Sequence, residues 1–133
     1  MKVKELSSIS LAFMGDAVIS LLVRERLVLE GLRPNILHKE AVNYVSAVSQ
    51  ASIYPIFYEI CTEEEKNILR RGRNSALNHK AKNTKMIDYR KATAVEALFG
   101  YLHLTKNTNR KMELFEILWQ NKQNQMNQTA NLF

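Results

Sequence analysis

Cysteine occurs once in the 133 residues, as Cys61, which excludes an internal disulfide and any zinc cluster built on cysteines. Proline occurs twice and glycine four times. With so few turn formers, and no sustained alternation of apolar and polar residues, a β-sheet has little support and the chain is predicted to be all-α. Long apolar runs are also missing: no tract reaches the roughly 18 residues a membrane span requires. The opening Met1-Lys2-Val3-Lys4-Glu5-Leu6 lacks the apolar core and cleavage pattern of a secretory signal. The expectation is therefore a cytoplasmic protein with no membrane partner. An apolar fraction of 46% with 24% charged residues is that of an ordinary globular protein, long enough for one core and too short for two.

Acidic residues are outnumbered 19 to 13 by Lys and Arg, which leaves a net charge of +6. Such an excess favours a polyanionic partner, because basic side chains on phosphates release condensed counterions. Charge alone speaks to association and not to fold, so it leaves nucleic-acid binding open.

Apolar spacing and end signals predict the helices. One begins near Ser8 or Ser10 as N-cap and runs to Glu30, where Gly31 supplies a stop. A second follows Arg33-Pro34-Asn35, with Leu37, Ala41, Tyr44, Val45 and Val48 three and four apart, until Pro55 ends or kinks it. Thr62-Glu63-Glu64-Glu65 is a capping box opening a short helix to about Arg71. Gly72 to Ile87 is polar, basic and aperiodic, and is expected to be a loop. Asp88 starts a helix through Glu96 to about Thr105, and Thr108 or Asn109 starts another through Trp119. Residues 1–120 are assigned to one domain, and the Asn- and Gln-rich residues 121–133 to a polar tail expected to fray.

Two apolar helical stretches each carry one isolated acid among small residues: Gly15-Asp16-Ala17-Val18 and Glu96-Ala97-Leu98-Phe99-Gly100. An ionised carboxylate facing an interior is costly unless something compensates its charge. One compensation is a structural ion pair, for instance with Arg90 or Lys91. The other is a shared cation: Mg²⁺ needs only one or two carboxylates besides water and substrate phosphate. Neither acid has a basic residue three or four positions away on its own helix, where a local partner would sit. The densest positive charge, Arg70-Arg71-Gly72-Arg73-Asn74 continued by Lys80, Lys82 and Lys85, reads either as solvated surface or as phosphate contacts beside the acids. His38, His79 and His103 have no metal-binding spacing; His38 and His103 are read as partly packed, and Cys61 as a small hydrophobe.

The ordered pair Gly15-Asp16-Ala17-Val18 and Glu96-Ala97-Leu98-Phe99-Gly100-Tyr101-Leu102 resembles the catalytic core of the ribonuclease III family. Leu37-His38-Lys39, Tyr44-Val45-Ser46-Ala47, Gln50-Ala51 and Arg71-Gly72-Arg73-Asn74 narrow the likeness to the Mini-III branch, which has the nuclease domain without a double-stranded-RNA-binding domain. The likeness covers roughly residues 8 to 120. Ribonuclease III places further acids where this chain has Ile9, Ala12 and Thr93, and the reduced set resembles that of the Mini-III branch.

The resemblance implies an all-helical endonuclease and a homodimer in which each subunit cuts one strand of a duplex, leaving a 5′ phosphate and a 3′ hydroxyl. It further implies catalytic and metal-binding roles for Asp16 and Glu96, with Mg²⁺ as cofactor and Mn²⁺ as substitute, one or two metals per site. Arg71, Arg73, Asn74, Lys80, Lys82 and Lys85 would contact RNA. The implied substrate is the precursor of large-subunit ribosomal RNA, with a ribosomal protein as a possible accessory. A non-catalytic RNA-binding or ribosome-assembly factor on the same fold is the alternative.

Overall fold

A computed structural model describes residues 2–75 and 86–131, and among these no strand forms. After a short 3₁₀ turn at Val3–Glu5, α1 spans Ser8–Leu29. Its cap is Ser7, one residue earlier than expected, in an extended conformation that lets its hydroxyl accept the Ser10 amide at 3.1 Å. Gly31 stops α1 as expected. With φ at +80° it donates to the Val28 carbonyl, and Leu32 donates to that of Leu27.

The second helix is shorter than the sequence predicts. α2 (Pro34–Val45) takes Pro34 in its first turn, where a missing amide costs nothing, but ends at Ser46 and not at Pro55. Ser46 is extended and caps the next helix, α3 (Ala47–Ile60), by accepting the Ser49 amide. Ser49 Oγ donates back to the Asn43 carbonyl and Gln50 Nε2 to that of Val45, so the end of α2 is satisfied by side chains. Pro55 lies inside α3 on its exposed side and does not end the helix.

The capping box forms: the Glu65 amide donates to Thr62 Oγ1 at 3.2 Å, and the Thr62 amide to Glu65 Oε1 at 2.9 Å. The helix it opens, α4 (Glu63–Ser75), continues through Gly72 instead of ending near Arg71. Gly72 is where α4 meets α5 (Met86–Leu104), since an added Cβ would lie 2.8 Å from Ala94 Cα. Residues 72–75 and 86–87 of the expected loop are therefore helical, and the rest of that segment lies outside the described residues.

α6 (Thr108–Asn131) carries helix through residues 121–131, the described part of the segment expected to fray. Propagating an existing helix is far cheaper than starting one, and glutamine is a fair helix former. The extension is also docked, because Gln123 donates to the Tyr44 hydroxyl and Tyr44 stacks on Trp119 at 4.1 Å.

α1 and α5 cross at the centre, with α3 and α4 packed on α5 and α2 on α1. Leu11, Ile19, Phe57, Leu69, Leu98 and Phe99 are fully buried at this junction. Buried Glu65 receives Arg110 in a two-pronged pair, both contacts 2.9 Å, which ties α4 to α6. Cys61, also buried, has its thiol pushed up to about 12, chiefly by burial and next by the charge of Glu65, so it is an inert core residue. No described helix is long and apolar enough to cross a membrane.

Candidate active site

α1 and α5 touch backbone to backbone through two glycines. A Cβ added at Gly15 would fall 1.6 Å from the Glu96 carbonyl oxygen, and one at Gly100 would fall 1.9 Å from that of Leu11. Only residues without a side chain allow this approach. Asp16 follows Gly15 directly, and Glu96 is the residue that Gly15 meets. The crossing therefore brings both carboxylates to one place. They line a surface cleft of about 280 Å³ together with Ile9, Ala12 and Phe13 from α1 and Tyr89 and Thr93 from α5.

The two acids differ in setting. Asp16 is exposed on the rim, contrary to the expectation that both acids face the interior, while Glu96 is half-buried. Burial pushes the Glu96 carboxyl up to about 8, and the charge of Asp16 and a hydrogen bond to it act in the same direction. Neither Arg90 nor Lys91 forms an ion pair with either acid, and no other described residue does.

Two carboxylates drawn together with no ion-pair partner among the described residues fit a divalent ion, which would relieve the repulsion that helps raise Glu96. No group of three or more His, Cys, Asp or Glu side chains assembles among the described residues, so water or substrate oxygens would have to complete the shell. Such a shell suits Mg²⁺.

Sequence reasoning does not single out Phe13 or Tyr89 as site residues. Their spacing, three before Asp16 and seven before Glu96, nonetheless puts each on the same helix face as its acid. Phe13 is 83% exposed, a large apolar side chain left on the rim of the cleft.

Of the predicted RNA contacts, Arg71, Arg73 and Asn74 lie on α4 and not in a loop. Arg71 donates to the carbonyls of Lys4 and Leu6, at 3.4 and 3.3 Å, and so holds the segment leading into α1. Arg73 is half-buried with its guanidinium 6.0 Å from the Tyr54 ring centre, and Asn74 is exposed. Lys80, Lys82 and Lys85 lie outside the described residues. His38 and His103, expected to be partly packed, are both exposed.

Residues 9–107 of this all-helical chain match the model of the Ribonuclease III domain, which makes it a nuclease of the ribonuclease III type. The chain belongs to that family. Within it the chain falls in the Mini-ribonuclease 3 branch: it is 46% identical over 108 residues to Mini-ribonuclease 3 of Streptococcus pneumoniae, covering 79% of this chain and 84% of that protein. To Mini-ribonuclease 3 of Brevibacillus brevis it is 48% identical over 107 residues, covering 80% of each. A crystal structure of a Fusobacterium nucleatum protein superposes with a TM-score of 0.81 at 28% identity, over 90% of this chain and 97% of that one.

Proposed function

We propose that this ribonuclease is a Mg²⁺-dependent homodimeric endonuclease of double-stranded RNA, with Mn²⁺ as a substitute metal. We take its substrate to be the precursor of large-subunit ribosomal RNA, as the sequence resemblance implies, and its setting to be the cytoplasm. The observation that carries the catalytic reading is the meeting of Asp16 and Glu96 at the glycine crossing, with no ion-pair partner among the described residues and with Glu96 held well above the usual carboxylate range.

Asp16 and Glu96 would hold the metal. When bound, a divalent ion supplies an acidified water and neutralises charge developing on the phosphate. Ile9, Ala12 and Phe13 make the apolar α1 side of the cleft. Arg73, Asn74, Lys80, Lys82 and Lys85 would hold backbone phosphates, which suits recognition of a duplex by shape more than by base edges. Hydrolysis breaks the bond between phosphorus and the 3′ oxygen, leaving a 5′ phosphate and a 3′ hydroxyl.

One face of α1 supports the dimer. Phe13, Leu21 and Val28, together with the small Ala17, recur at helical spacing, and all are exposed. An apolar stripe of this kind on a globular surface marks an interface. A closed twofold dimer provides the two sites that cutting both strands requires. A nuclease assay on duplex RNA tests the reading: cleavage should need Mg²⁺ or Mn²⁺, stop with EDTA, and vanish in Asp16→Asn and Glu96→Gln. RNA binding without cleavage under every metal condition would select the assembly-factor alternative.

A further inference from the structure

Thr93 lies one helical turn before Glu96, lines the same cleft, and is only 5% exposed. Its hydroxyl proton is already committed, because Thr93 Oγ1 donates to the Tyr89 carbonyl at 2.9 Å. A hydroxyl has one proton and two lone pairs, so what remains on this oxygen can only accept. Once a cation ionises both Asp16 and Glu96 they are acceptors too and cannot satisfy it. A water carried in on a metal would be a donor to it.

Resting on the metal-site reading above, we infer that Thr93 is a positioning residue for the bound cation: its hydroxyl oxygen accepts a hydrogen bond from a water on the metal. A Mg²⁺ with two carboxylate ligands retains several waters, whose protons are polarised and require acceptors. Thr93 is placed to fix one of them. The proton it gives to Tyr89 sets which way its lone pairs point, and burial holds the rotamer, so the acceptor is oriented before the metal arrives.

Mn²⁺ is titrated into the metal-free protein in the absence of RNA, and free Mn²⁺ is read by electron paramagnetic resonance. Wild type is compared with Thr93→Val, Thr93→Ser and Asp16→Asn, and each variant is also melted without metal. Thr93→Val keeps the shape and removes the acceptor, and it should weaken Mn²⁺ binding about 10-fold, the scale seen when an outer-shell partner is lost. Thr93→Ser should bind as wild type does. If the valine variant melts early, Thr93→Ala carries the same expectation.

A valine or alanine variant that binds Mn²⁺ as tightly as wild type, while Asp16→Asn does not, overturns the role of Thr93 and leaves the metal site standing. Undiminished binding by Asp16→Asn overturns the metal-site reading itself. A purely structural threonine would lower the melting temperature and leave Mn²⁺ affinity unmoved.

Discussion

Replacing Gly15 by Ala tests whether the glycine crossing sets the catalytic geometry. The new methyl would sit 1.6 Å from the Glu96 carbonyl oxygen and 2.9 Å from the Gly100 amide nitrogen, both backbone atoms that cannot swing aside. Restoring ordinary contact requires α1 to retreat roughly 1.5–2 Å from α5. Overpacking a close interface costs about 1–3 kcal/mol. For a domain of this size that should lower the melting temperature by roughly 3–12 °C. Activity should fall further than stability, because a misplacement of about 1 Å between reacting groups can cost about 100-fold. Gly31→Ala is the control. Gly31 has φ at +80° and nothing within 4 Å of an added Cβ, so its cost is backbone strain alone. That substitution should lower stability by about 1 kcal/mol and leave turnover per folded molecule intact. Melting curves and single-turnover cleavage at a temperature where both variants are folded make the comparison. If Gly15→Ala melts and cleaves as wild type does, the backbone contact does not govern the site.

Other expectations follow from the same cleft. Glu96 binds a proton more tightly in the fold than in the unfolded chain, so without metal stability should decline as pH rises from its ordinary carboxylate value of 4.5 towards about 8 and level off above that. Glu96→Gln should flatten this decline and raise the metal-free melting temperature near pH 8; an unchanged slope in EDTA would refute the shift. Phe13→Asp should turn the dimer into a folded monomer by sedimentation, since the side chain is 83% exposed and contributes little to the subunit's own core; an intact dimer would place the interface elsewhere. Replacing Arg73, Lys80, Lys82 and Lys85 by Ala should reduce the slope of log affinity against log salt by about 0.7–0.9 per lost phosphate contact. An unchanged slope would return these residues to solvated surface.

Features written into a few neighbouring residues were legible before the structure. The Thr62/Glu65 box, Pro34 in a first turn and Gly31 at a helix end depend on local hydrogen bonding and φ preference, and each lies where its pattern indicates. Features decided by distant contact were not. Pro55 carries the stronger helix-breaking signal, yet Ser46 breaks the chain because Ser49 and Gln50 satisfy the carbonyls of α2 there. Gly72 looks like a loop residue until Ala94 is set against it. The acids stand out because isolated carboxylates in apolar helices are unusual. Tyr89 does not stand out, since tyrosine is not unusual in a helix, and the cleft it lines with Glu96 appears only in the fold.

The chain's single tryptophan, Trp119, lies parallel to Tyr44 with 7° between the rings, and the Arg26 guanidinium stands 4.8 Å from its ring centre. That sandwich joins α2 and α6 to the later part of α1, ten residues beyond Asp16 and so about 15 Å along the helix. Intrinsic fluorescence of this enzyme is thus a signal from one end of the subunit, free of contributions from any other indole. Compared with loss of cleavage during denaturant titration, it separates two kinds of failure. Coincident curves mean that the subunit yields as one cooperative unit. A cleavage curve that falls first means that the crossing opens while the aromatic sandwich still holds.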